Sequence, residues 1–203
     1  MRLGWVEINL TNLIIPMDYN LNGKKVACMV ADGFEQSELE SPVKALRDAG
    51  ATVEIVSPNH DKVRGWAHDH WDKELPVDVA IDDAAPSDYD ALLLPGGVIN
   101  PDTLRTNHRA VAFARQFFRT HKPVAAICHG PQTLINAEVV SGRKMTSYPS
   151  IKQDLINAGA NWVDEEVVVD QGFVTSRSPA DLEAFNRKLV EEVAEGKHAH
   201  QHA

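Results

Sequence analysis

Short apolar runs of strand length alternate with helix-patterned segments along most of this chain, and that alternation leaves few architectures open. "KKVACMVA" (24–31), "TVEIVS" (52–57), "DALLLPGG" (90–97) and "PVAAIC" (123–128) read as buried strands. Between them, "SELESPVKALRDAG" (37–50) sets Leu39, Val43 and Leu46 on one helical face and ends at Gly50. "HRAVAFARQFFRTH" (108–121) is helical in the same way. Residues 58–76 are polar and read as irregular, and 77–82 read as a short edge strand. Further on, "SIKQDLINAGA" is a predicted helix capped by Ser150, and "EEVVVDQGFVTS" is a predicted hairpin turning at 170–172. A last helix opens with Ser178 as cap and Pro179 at its first position. Strands separated by helices must be joined by crossovers, so the sheet is parallel and covered on both faces.

In such sheets ligands bind beyond the carboxyl ends of the strands. Three loops leave those ends, "DGFEQSE", "PGGVINPD" and "CHGPQ", and they can converge.

The 203 residues, 43% of them hydrophobic, suffice for one domain with a sizeable core. We read residues 1–22 as an N-terminal extension, 23–195 as a single domain and 196–203 as a polar tail. Met17 can serve as an alternative start, which would make residues 1–16 dispensable. A formal net charge of −9 argues against general nucleic-acid binding, which needs a basic face to displace counterions from phosphate. No apolar run approaches the roughly 20 residues of a membrane span, and Glu7, Asn9 and Asn12 interrupt the N-terminal apolar residues, so neither an anchor nor a signal peptide is expected. The only cysteines are Cys28 and Cys128, too few for a disulfide framework, which favours a reducing, cytoplasmic setting.

Cys128 ends a strand just where a helix begins, the general form of a nucleophile elbow. A thiol there should be exposed, and unpaired helix amides together with the helix dipole should lower its pKa toward thiolate. Glu35, just after the first strand, faces the same rim and is the expected proton donor. Glu38 and Glu40 read better as solvated carboxylates complementing the helix dipole. Gly96 and Gly97 allow close backbone approach, so their amides, with that of His129, could stabilise an oxyanion. Cys28, mid-strand, reads as buried filler. His68, His70 and the His198, His200 and His202 group are not expected to bind a native metal, because metal sites need held, convergent ligands. No cofactor is expected.

Taken together, "ADGFEQSELESP", "ALLLPGG", "KPVAAICHGPQTLINA" and "GRKMTSYPSIKQDLINAGANWVDEEVVVDQGFVTSRSPADL" resemble the PfpI family of the ThiJ/PfpI superfamily, from about residue 24 to about residue 193. That resemblance implies a flavodoxin-like three-layer sandwich, akin to class I glutamine amidotransferases, and self-association as a homodimer or higher homo-oligomer. The His-x-Glu pair that amidotransferases carry late in the chain is absent. The resemblance also implies a reactive Cys128 beside His129, with the acid at Glu35. In some members a carboxylate from a neighbouring subunit completes a Cys-His-acid triad; the matching position is Asp102, in a loop one residue longer and with a shorter acid. Its implied activity is on reactive carbonyls or glycated protein, of deglycase or glyoxalase type. The alternatives are an intracellular cysteine peptidase and a redox-sensing or chaperone-like stress protein. A peptidase needs the His129 ring at the sulfur of its own neighbour, which only a strained backbone allows.

Overall fold

The computed structural model describes residues 19–199. The expected extension 1–16 and the internal start at Met17 lie outside them, as do His200 and His202. In chain order the elements are β1 (Lys25–Met29), β2 (Phe34–Glu35), α1 (Gln36–Asp48), β3 (Thr52–Ser57), β4 (Lys62–Ala67), β5 (His70–Pro76) and β6 (Val79–Ala80). Next come β7 (Ala91–Leu94), α2 (Ile99–Thr106), α3 (His108–Arg119), β8 (Val124–Ile127) and α4 (Pro131–Asn136). The chain closes with β9 (Lys144–Met145), α5 (Lys152–Asn157), β10 (Asn161–Trp162), β11 (Val167–Asp170), β12 (Phe173–Ser176) and α6 (Leu182–Glu195).

The central sheet has seven strands in the order β11-β12-β8-β7-β1-β3-β6. Every pair is parallel except the β11–β12 hairpin. Because the sheet is buried on both faces, its strands lack polar alternation and neighbouring side chains feed two different cores. Ala27 and Met29 join Phe113, Phe117 and Phe118 on the α3 side. Val26, Cys28 and Val30 join Leu39, Val43, Phe185 and Val190 on the side of α1 and α6. Cys28 is fully buried there.

Strand order reverses between β1 and β7, the point where loops part and leave a crevice. The loops after β1, β7 and β8 all open on that rim. Asn100, fully buried near the start of α2, ties two of them together. Its Oδ1 accepts from the Ala31 amide at 2.7 Å, and its Nδ2 donates to the carbonyls of Pro95 and Gly96, each at 2.9 Å.

Several elements depart from the sequence reading. The segment expected to be irregular forms the β4–β5 hairpin, which pairs with β2 and closes over Trp66 and Trp71 in edge-to-face contact at 5.3 Å. Hydrophobic alternation is weak there because much of the hairpin is exposed. Ser150 caps no helix: it sits in a 3-10 turn over Pro149–Ile151, and α5 follows directly at Lys152 with Ile151 in the cap position. The loop after the glycine pair contains a helix, α2. Leu21 is fully buried and its amide donates to Ala49 at 2.8 Å, while the His198 amide donates to His121 at 2.9 Å, so ordered packing reaches past both ends of the 23–195 span. No helix among the described residues is long and apolar enough to cross a membrane.

Candidate active site

Cys128 follows β8 in the left-handed region, with φ of 59°, a conformation that strains a non-glycine residue. Two backbone bonds hold it there: its amide donates to Ser176 at 3.0 Å, and its carbonyl accepts from the Tyr148 amide at 2.9 Å. The kink turns the next side chain back onto the sulfur, so that Cys128 Sγ and His129 Nδ1 lie 3.1 Å apart. The backbone strain foreseen for such a pairing is therefore present.

Gly130 completes the turn, because a Cβ on it would come within 2.5 Å of the Leu94 carbonyl. At Gly97, φ is +78° and a Cβ would come within 2.3 Å of the Gly33 carbonyl. Its amide, like that of His129, favours the ionised form of the Cys128 sulfur. Gly96 departs from its expected role. Its amide donates to Glu38 Oε2 at 3.0 Å, so of the three amides expected to face an oxyanion this one is already engaged. Gly97→Ala is expected to lower stability by about 2 kcal/mol or more, since left-handed strain and a backbone clash combine. Chemical denaturation would measure it, and a loss below 0.5 kcal/mol would show that the loop has room to move.

Glu38, not Glu35, supplies the carboxyl at the sulfur. Glu38 is fully buried in the first turn of α1, accepts from the Gly96 amide and lies against Cys128, so that a Cβ on Gly96 would touch both side chains. Glu35 precedes the helix as its cap residue, pairs with Trp66 through β2, and accepts a hydrogen bond from Ser37 at 3.0 Å. Its charge reaches the site only by pushing Glu38 further up. A signal for Glu38 is present in the sequence: Glu38, Pro42 and Leu46 stand four residues apart, on the buried stripe of α1.

The electrostatics also differ from expectation. Burial pushes the Glu38 carboxyl up to about 8, with the charge of Glu35 adding to it. Burial, then the Glu38 carboxylate, raise the Cys128 thiol, which is only 7% exposed, and the amides of Gly97 and His129 only partly offset this. The thiol is therefore neither exposed nor acidified. The helix expected to acidify it, α4, has six residues and starts three positions after the cysteine, so its dipole is short and displaced. The Glu38 charge raises the thiol while the thiol's own interaction lowers Glu38, so the carboxyl ionises before the sulfur and the pair resists carrying two negative charges.

His129 is held neutral by burial, which lowers its pKa. Its ring stacks on Tyr148 with centroids 4.8 Å apart, and its Nε2 meets Ser150 Oγ at 2.9 Å. Asp102 is exposed in the first turn of α2, and the partner of Nε2 within one chain is the Ser150 hydroxyl instead. Beside Tyr148, a cleft of about 400 Å³ is lined by Pro149, Arg177 and Ser178. Arg177 is itself clamped by Asp181 and Asp164.

Ser150 and Glu38 are the functional candidates that sequence reasoning assigned elsewhere. Ser150→Ala should reduce kcat about 5-fold, the worth of one hydrogen bond of about 1 kcal/mol, and shift the pH profile of kcat/KM as the ring loses its orienting partner. Ser150→Thr should restore both. An unchanged pH profile in the alanine variant would mean that the hydroxyl does not position His129.

Residues 24–192 match the DJ-1/PfpI family. The chain belongs to that family. General stress protein 18 of Bacillus subtilis is 49% identical over 170 residues, covering 83% of this chain and 96% of the relative. A deglycase of Pyrococcus horikoshii is 48% identical over 166 residues (82% and 97%), and protein/nucleic acid deglycase 2 of Escherichia coli is 47% identical over 169 residues (82% and 96%). Another Bacillus subtilis relative, YraA, 49% identical over 167 residues (82% and 96%), is named as a candidate cysteine protease. Among solved structures, Drosophila melanogaster DJ-1beta superposes with a TM-score of 0.76 at 30% identity, covering 84% of this chain and 90% of that one. The family members' names bear out the stress-protein, deglycase and protease side of the sequence reading, and the sandwich expected from the resemblance is the fold observed.

Proposed function

We propose that this DJ-1/PfpI member is a cytoplasmic, cysteine-dependent enzyme acting on reactive carbonyls, of deglycase or glyoxalase type, with Cys128 as nucleophile and Glu38 as proton shuttle. The observation that carries the reading is a fully buried, protonatable carboxyl beside the thiol: a Cβ on Gly96 would come within 2.6 Å of Glu38 Oε2 and 2.7 Å of Cys128 Cβ at once. With Glu38 protonated, the like-charge penalty on the sulfur disappears, so the productive state is a pair holding one negative charge.

For a 2-oxoaldehyde, Sγ bonds to the aldehyde carbon as the carbonyl oxygen takes the Glu38 proton, giving a hemithioacetal. The Glu38 carboxylate then removes the proton from that carbon, whose electron pair moves into a carbon–carbon double bond as the proton of the hemithioacetal hydroxyl passes to the neighbouring ketone oxygen. Return of the proton to the second carbon leaves a thioester of a 2-hydroxy acid. Water adds to the thioester, the C–S bond breaks and the thiol is regenerated, so the net change is addition of one water. On a glycated amine the same attack precedes expulsion of the amine. The amides of Gly97 and His129, which already favour negative charge at the sulfur, would stabilise the charge that develops on the attacked oxygen.

The Cys128–His129 contact of 3.1 Å favours a second reading, a cysteine peptidase, with His129 as base. In that reading Asp102 of a neighbouring copy would approach His129. Self-association is part of the proposal, and Val98 (64% exposed) and Ile99 (46% exposed), just before Asp102, support a contact along this rim. A thiol raised by burial and only 7% exposed is poorly placed for fast oxidation, which makes redox sensing the weaker reading. Turnover of methylglyoxal, deglycation of a glycated peptide and hydrolysis of an unmodified peptide, measured side by side, separate these readings. Carbonyl turnover without peptide cleavage supports the proposal; peptide cleavage that Cys128→Ala abolishes would replace it with the second.

A further inference from the structure

The far end of α6 gathers three groups that carbonyl chemistry does not use. Glu192 and Glu195 stand one turn apart, and beyond Gly196 (φ +82°) the chain doubles back to bring His198 beside them. One donor atom from each of the three lies within 4.8 Å of the others. His198 is held in place: its amide donates to the His121 carbonyl at 2.9 Å, and its ring packs on Gly172, where a Cβ would come within 2.4 Å of a ring carbon.

Glu192 is 5% exposed, and its Oε2 has no hydrogen-bond partner. It faces His198 Nε2 at 3.0 Å, yet that nitrogen also lacks an aligned hydrogen bond. Two lone-pair donors facing each other without a hydrogen bond between them have the spacing of adjacent ligands on one ion: bonds of about 2.0–2.2 Å put neighbouring donors roughly 3 Å apart. Burial and the charges of Glu195 and Glu191 push the Glu192 carboxyl up to about 7, only partly offset by Lys188, so the site carries unbalanced negative charge. The carbonyl end of α6 adds the negative pole of a 14-residue helix.

We propose that Glu192, Glu195 and His198 bind a divalent transition-metal ion of the zinc type. One imidazole and two carboxylates suit a borderline ion, whereas calcium and magnesium call for more oxygen donors. His121 lies three residues before the amino end of β8 and Gly172 directly before that of β12, so the ion would sit on the rim opposite Cys128. There it would clamp the chain terminus to the sheet. This assigns His198 to a site that the sequence reading of the tail did not expect.

The test is a Zn²⁺ titration of the full chain carrying Cys128→Ser, so that the thiol does not contribute, read by competition with a chromophoric chelator and by thermal unfolding. One equivalent should bind with a Kd in the micromolar range or below and raise Tm. Glu192→Gln, His198→Ala and the exposed, fold-neutral Glu195→Gln should each weaken binding at least 10-fold. His200→Ala with His202→Ala should leave it unchanged. Absence of saturable binding, binding that survives Glu195→Gln and His198→Ala, or binding lost with the His200 and His202 pair would each overturn the proposal.

Discussion

Cys128→Ala should reduce carbonyl turnover by at least about 10³-fold, the scale on which loss of a covalent nucleophile is felt. Methylglyoxal consumption and hydroxy-acid formation would both report it. The fold should survive, because alanine keeps the backbone bonds to Ser176 and Tyr148 and removes only a sulfur that burial and Glu38 hold in an unfavourable setting. Activity and stability therefore separate in this variant: turnover falls while Tm stays level or rises. Residual turnover within 10-fold of the wild type, in protein that unfolds normally, would remove the thiol from the reaction.

Glu38→Gln should lower kcat by about 10²–10⁴-fold, the usual contribution of a positioned acid–base group. Glutamine can still accept the Gly96 amide, so the loop keeps its anchor while the exchangeable proton is gone. Glu35→Gln should stay within a few-fold of wild type, since Glu35 acts on the site only through charge. Reversed outcomes for the two variants would return the shuttle to Glu35. The pH dependence of stability gives an independent reading. Glu38 is raised from 4.5 to about 8 by folding, so below 4.5 it is protonated in both states and costs nothing. As pH rises from 4.5 through about 8 the unfolded chain ionises first, and native stability falls. Glu38→Gln removes that slope, and the variant should gain a few kcal/mol over the wild type across this window. Urea unfolding at pH 5 and pH 8.5 would measure it. The same window contains Glu192, raised to about 7, which is why wild type and variant must be compared at each pH.

The strands of the central sheet, α1, α3 and the β11–β12 hairpin were legible because their signal is local. A buried parallel strand needs a continuous apolar run, a helix needs a stripe, and a tight hairpin needs positive φ, which Gln171 and Gly172 adopt here. The β4–β5 hairpin was not legible, because an exposed hairpin buries too little for its pattern to show. Glu38 was misassigned for a related reason. A carboxylate in a helix's first turn reads as solvated, and only the periodicity it shares with Pro42 and Leu46 points inward.

By itself the sequence determined a covered parallel sheet, the loops that meet on its carboxyl rim, and the cysteine at an elbow there, since all three follow from periodicity and from which residue ends a strand. Tertiary structure alone decided which acid meets the sulfur, that His129 turns back onto Cys128 and rests on Ser150, and that burial raises the thiol instead of acidifying it. Those outcomes depend on distances between segments far apart in the chain and on exclusion of water, and neither quantity is carried by any local run of residues.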